Sequence, residues 1–205
     1  MRKIIVTEFL SLDGVMEDPS WSLPYWNDAI AKFKQEELFA SGAHLLGRVT
    51  YQGFAAAWPG RKDKQGFADR MNQQPKFVVS NTLDKSLWRG TTILKGDAVA
   101  GINQLKETDC GDLLVAGSAT LVQTLVKYNQ VDEFHLLVYP LLLGAGKRLF
   151  EGGIGDHGLN LIESKSMGSG VLLLIYRPGQ KMDKGPVNYS EMFSRRLGSE
   201  IYTHG

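Results

Sequence analysis

Residues 111–150, GDLLVAGSATLVQTLVKYNQVDEFHLLVYPLLLGAGKRLF, constrain the fold more than any other stretch of the chain. Leu113, Leu114 and Val115 lie within 112–116, a short apolar run suited to a strand buried on both faces. Gly117 and Ser118 break the run. Leu121, Val122, Leu125 and Val126 then fall on one stripe of a helix, and Ser118 or Thr120 is placed to cap it by accepting a first-turn N–H. Residues 131–139 return to strand, and Pro140 stops ladder hydrogen bonding. A strand that enters a helix through small residues leaves N–H groups at the positive end of the helix dipole, a setting suited to a phosphate.

The rest of the chain extends this β-α-β unit. Residues 3–9 form a first strand that ends at Ser11-Leu12-Asp13-Gly14, a turn signal. A loop with Pro19, Pro24, Trp21 and Tyr25 follows, then a helix over 27–40 that stops at Gly42. Strands are predicted at 43–46, 76–80 and 91–94, helices at 66–72 and 97–107, and an exposed loop at 58–66. After a glycine-rich loop at 152–158, strands at 159–165 and 171–177 flank Gly168-Ser169-Gly170, a hairpin signal. The pattern predicts an α/β domain with about eight strands, a mostly parallel sheet, helices on both faces and an antiparallel edge. Residues 1–178 form the domain and 179–205 a polar tail, with a short amphipathic segment at 189–197.

Bulk properties exclude several classes. At 205 residues the chain buries about 70% of its unfolded surface as one domain. A net charge of +1 supplies no general field for nucleic acid or an anionic membrane. The basic and then apolar N-terminus resembles a signal peptide, but Glu8 interrupts the run and no cleavage site follows. The most apolar stretch, 136–145, is about half a membrane span. One cysteine and four scattered histidines predict no dedicated metal site. A cytoplasmic protein is expected.

Three strand ends carry small polar residues: Gly47-Arg48-Val49-Thr50, Ser80-Asn81-Thr82 and Gly117-Ser118-Ala119-Thr120. Ligands bind at the carboxyl ends of strands in open parallel sheets, and three such ends suit one extended anionic ligand. With the opening Ser11-Leu12-Asp13-Gly14, Val78-Val79-Ser80, Val131-Asp132-Glu133 and the Pro140–Gly146 segment, these motifs resemble the dihydrofolate reductase-like superfamily. The resemblance is greatest to stand-alone bacterial proteins that share the reductase domain of riboflavin biosynthesis.

That resemblance implies a three-layer α/β/α dihydrofolate reductase-like fold, NADPH as hydride donor, and a homodimer. It places Gly47, Arg48 and Thr50 at the pyrophosphate and 2′-phosphate, Ser80 beside the 2′-phosphate, and Gly117, Ser118, Ala119, Thr120 and Leu121 under the pyrophosphate. Gly14 and Val15 fall near the nicotinamide, with Asp13 the candidate proton source. Trp21 and Trp26 are expected to pack against a small ring-containing substrate. Trp26 stands where dihydrofolate reductases carry the pterin-binding carboxylate. Asp28 is expected to face away from it, because two helical steps rotate a side chain by about 200°. The deaminase signature of H-x-E with P-C-x-x-C is missing. The implied function is an NADPH-dependent reductase acting on a C=N or C=O bond of a pteridine- or pyrimidine-like substrate. The alternative is a nucleotide-binding oligomeric module without turnover. The apolar 131–143 stretch, read as a strand at or near a sheet edge, adds to the expectation of a dimer.

Overall fold

The computed structural model describes residues 1–151 and 155–180; the segment at 189–197 lies outside them. Eight strands form one sheet: β1 (Ile4–Ser11), β2 (Ala43–Gly47), β3 (Lys76–Val79), β4 (Thr91–Leu94), β5 (Leu113–Ala116), β6 (Glu133–Tyr139), β7 (Leu159–Ser166) and β8 (Leu172–Pro178). Their order is β4-β3-β2-β5-β1-β6-β8-β7. Neighbours from β4 through β6 run parallel, and β8 pairs antiparallel with both β6 and β7. This is the mostly parallel sheet with an antiparallel C-terminal hairpin that the sequence predicts.

Among the described residues, five α-helices connect the strands: α1 (Asp28–Ala40), α2 (Arg48–Ala57), α3 (Phe67–Gln73), α4 (Ala98–Lys106) and α5 (Ala119–Lys127). Strand alternation divides their packing between two faces. Ile4, Val6, Leu45, Leu113 and Val115 join Ile102 of α4 and Leu121, Val122, Leu125 and Val126 of α5 in one core. On the other face Leu46, Val78 and Leu114 meet Leu38, Tyr51 and Met71, while Leu137 and Tyr139 meet Ile30. The apolar stripes therefore account for all three layers.

Helix starts differ in a way that matters at the carboxyl edge of the sheet. Asn27 caps α1 through the N–H groups of Ala29 and Ile30, and Asp97 caps α4 through Val99 and Ala100. Neither α2 nor α5 has a side-chain cap. The expected cap from Ser118 or Thr120 is not formed. Ser118 adopts φ 65°, and its Oγ instead accepts the Gly47 N–H at 2.9 Å, tying the β5–α5 turn to the β2–α2 turn.

The apolar 131–143 stretch does not lie at an edge. Its strand, β6, pairs with β1 on one side and β8 on the other, so its ladder groups are already used. The outermost strand on that side is β7, whose residues are all exposed.

Candidate active site

A cavity of about 1680 Å³ opens at the carboxyl ends of β1, β2, β3 and β5. Two strand-to-helix turns build one wall. Gly47 ends β2 directly before Arg48, and Gly117-Ser118 carries β5 into α5. Gly117 has φ +64°, and a Cβ there would stand 2.9 Å from Thr50 Oγ1, so only glycine lets the two turns meet. The exposed Arg48 guanidinium donates to Gln52 Oε1 at 3.1 Å and pairs with no carboxylate among the described residues. Ser80 Oγ accepts the Leu83 N–H at 3.0 Å and the Thr82 N–H at 3.2 Å, which closes the turn after β3.

Gly47, Arg48, Thr50, Ser80, Gly117, Ser118, Ala119, Thr120 and Leu121 all line this one cavity. Two uncapped helix N-termini, a glycine cradle and an arginine with no carboxylate partner among the described residues fit, on one wall, the anionic groups of a dinucleotide phosphate.

The loop after β1 is placed differently from the sequence expectation. Asp13, Gly14 and Val15 are not in the lining, which takes Met16, Glu17 and Asp18 from this loop. Asp13 ties two loops together. Its Oδ1 accepts from Ser11 Oγ at 2.6 Å and from Leu143 N at 3.1 Å, while Oδ2 accepts from Gly144 N at 2.9 Å. Arg148 adds an ion pair at 3.3 Å. The Ser11 hydroxyl first, then the two backbone donors, hold this carboxyl far below its ordinary range, which leaves no proton to give. Glu17 makes a parallel tie by accepting the Lys147 N–H at 3.2 Å.

The two tryptophans separate. Trp21 packs edge-on against Tyr139 at 5.4 Å between ring centroids, donates to the Glu17 carbonyl and does not line the cavity. Trp26 does line it. Asp28 lines the cavity too, contrary to the rotation argument. Trp26 is extended and Asn27 is the cap, so the two side chains are not two steps apart on one helix.

Sequence reasoning missed a group of buried and half-buried ionisable residues. Glu8, Lys34, Glu37 and His44 line the cavity. Lys34 Nζ donates to Thr7 Oγ1 at 2.7 Å and forms an ion pair with Glu37. Glu37 Oε1 lies 2.6 Å from His135 Nδ1, His135 Nε2 lies 2.7 Å from Glu133 Oε1, and Arg177 Nε donates to Glu133 Oε2 at 2.7 Å. An alternating chain of charges thus runs from the cavity to the exposed Arg177. Burial opposes charge on Glu37, but Lys34 and His135 outweigh it and hold the carboxyl below its usual value. Burial also opposes the charged His135 ring, and Glu37 with Glu133 outweighs it and raises this pKa. His44 is pushed down to about 3, chiefly by burial and then by Lys76, Lys34 and Arg70, so its ring is neutral.

Glu8 behaves oppositely to Asp13. It is 4% exposed, and its Oε2 accepts the Gly117 N–H at 3.0 Å. Oε1 has no hydrogen-bond partner among the described residues. Burial drives its pKa well up, past the opposing effects of Gly117 and Lys34. The sequence did carry a signal, because Glu8 falls on the same alternating face as Ile4, Val6 and Leu10.

Among the described residues, no group of three or more His, Cys, Asp or Glu is arranged to hold a metal ion, and no helix is long and apolar enough to cross a membrane. The chain is 24% identical to the uncharacterized protein YyaP of Bacillus subtilis (strain 168), over 85% of this chain and 94% of that one. A riboflavin-biosynthesis-type protein of Shewanella sp. PV-4 has a similar structure, with TM-score 0.68, 21% identity, and coverage of 87% of this chain and 99% of that one. Dihydrofolate reductase from Enterococcus faecalis, solved with NADP(H), has TM-score 0.60 and 12% identity, covering 87% of this chain and 97% of that one. The model of the RibD C-terminal domain matches residues 2–173, and the chain belongs to that family.

Proposed function

We propose that the chain is a reductase that uses NADPH to deliver hydride to a C=N or C=O bond of a small pyrimidine- or pteridine-like ring. The observation that carries this reading is the wall where Arg48, the Gly117 turn and the uncapped starts of α2 and α5 converge. Family membership and the fold shared with an NADP(H)-bound dihydrofolate reductase support it. The bound cofactor supplies the hydride. The chain supplies the rest: first-turn N–H groups for the pyrophosphate, and Arg48 with the Thr50 and Ser80 hydroxyls for the 2′-phosphate. No acidic side chain occupies those three positions to repel it. The cavity volume exceeds the roughly 300–1,000 Å³ of an ordinary small-molecule site, which leaves room for a second ligand beside the cofactor. Phe9, Leu23 and Trp26 offer that ligand apolar surface.

The test is to titrate NADPH while following tryptophan fluorescence, and then to measure NADPH oxidation across a panel of pyrimidines and pteridines. Saturable binding with oxidation by a panel member supports the reading. Binding without oxidation by any of them favours the nucleotide-binding module. Failure to bind discards both.

A further inference from the structure

We propose that Glu8 is the acid of the reaction, giving the proton on Oε1 directly to the substrate atom that neighbours the carbon receiving hydride. This rests on the reductase reading above. Glu8 stands at a fork in the sheet. Thr7↔Ala116 is the last pair between β1 and β5, whereas β1 and β6 remain paired as far as Ser11↔Tyr139. Beyond the fork the β5 chain turns away through Gly117, whose N–H meets the Glu8 carboxyl, and Glu8 is one of the residues that line the cavity.

The single backbone contact decides which oxygen bears the proton. The Gly117 N–H donates to Oε2, so Oε2 is the acceptor oxygen and Oε1 the hydroxyl. A buried O–H without a partner costs free energy that a ligand acceptor recovers. The charged groups facing Glu8 are Lys34 and Glu37 of α1, and their effects oppose each other. Lys34 is engaged by Thr7 and Glu37, and His44 of β2 is a neutral ring. Asp13 is fixed as a carboxylate outside the lining. A carboxyl kept neutral by burial, at the boundary between the glycine turn and α1, is suited to general acid work.

The step balances simply. A bound NADPH would supply hydride to the carbon of the C=N or C=O bond, whose π pair would pass to the nitrogen or oxygen. That atom takes the Oε1 proton as the Glu8 O–H bond breaks. The carboxylate remains, held by the Gly117 N–H and facing Lys34, and regains a proton from water after product leaves.

Glu8→Gln is the informative variant, because its amide still accepts from Gly117 and still offers an N–H but has no proton to transfer. Two measurements are needed. In the first, NADPH binds the variant within about twofold of wild type, while single-turnover oxidation by an active panel substrate falls about 100-fold or more. In the second, thermal melts of both proteins are compared between about pH 5 and pH 8. Folded Glu8 keeps its proton where the unfolded residue loses it, so wild type loses stability relative to the variant as pH rises. The melting-temperature gap should widen in favour of Glu8→Gln. Parallel melting curves, or unimpaired oxidation by the variant, overturn the role of Glu8 alone. A wild type that oxidises NADPH with none of the panel compounds overturns the reductase reading, and this role with it.

Discussion

His135 Nδ1 lies 2.6 Å from Glu37 Oε1, inside the protein, although the two residues are 98 positions apart. The imidazole is held between two carboxylates, since Nε2 meets Glu133. Each member has its own pH window. His135 is raised, so its contribution is complete below the unfolded value of about 6.5 and is lost as pH rises through the folded value. Glu37 and Glu133 are lowered, so theirs is complete above about 4.3 and is lost as pH falls through their folded values.

The cluster therefore contributes most between those two unfolded values. Replacing His135 with Phe strands Glu37, whose side chain is 2% exposed, although Lys34 still pairs with it. We expect a loss near the lower end of about 3–5 kcal/mol at pH 6, and a smaller one at pH 9. Urea unfolding of both proteins at the two pH values measures this. An equal loss at both would show that the ring packs there without its charge.

Most of the fold was legible because it rests on local periodicity and on glycine and proline punctuation. The three strand ends met in one cavity because parallel strands deliver all their carboxyl ends to the same edge. What was not legible depends on contacts distant in sequence. Glu37 looks like one more polar residue of α1 until β6 places His135 beside it. Glu8 reads as an interruption until the β1–β5 fork is seen. The Asp28 error came from carrying the helix back past its cap, Asn27, to Trp26.

Asp13 gives a second prediction. It holds the loop that leads to Glu17 and Asp18 against residues 143–148. We expect Asp13→Ala to lower the melting temperature and raise the substrate KM, while the shape of the kcat pH profile stays as in wild type. A profile that loses its acidic or basic limb in this variant would return Asp13 to the chemistry.

Gly117 gives a third. Alanine there must adopt φ +64° and bring its Cβ to 2.9 Å from Thr50 Oγ1. Backbone strain of this kind costs about 1–3 kcal/mol. Any relief moves the turn that holds both Ser118 and the Glu8 contact. We expect Gly117→Ala to lose stability by about that amount and also to weaken NADPH. Chemical denaturation and a fluorescence titration of the same preparation check the pair. Full stability and unchanged affinity would show that the turn tolerates a side chain.

Arg48 gives the last. NADPH differs from NADH by a 2′-phosphate, a dianion near neutral pH that favours a forked, charge-assisted pair of donors. Arg48 starts α2 on the cavity wall, and its Gln52 contact is one a phosphate can replace. Thr50 and Ser80 line the same cavity with hydroxyls. Arg48→Ala should therefore remove roughly 1.5–3 kcal/mol of NADPH binding, about ten- to a hundredfold, and leave NADH nearly unchanged. Titrating both cofactors into wild type and variant separates the alternatives. Equal losses would put Arg48 at the shared pyrophosphate, where the two cofactors are identical. No loss for either would leave it a surface residue whose partner is Gln52, and the 2′-phosphate would then have to be held by hydroxyls and helix N–H groups alone.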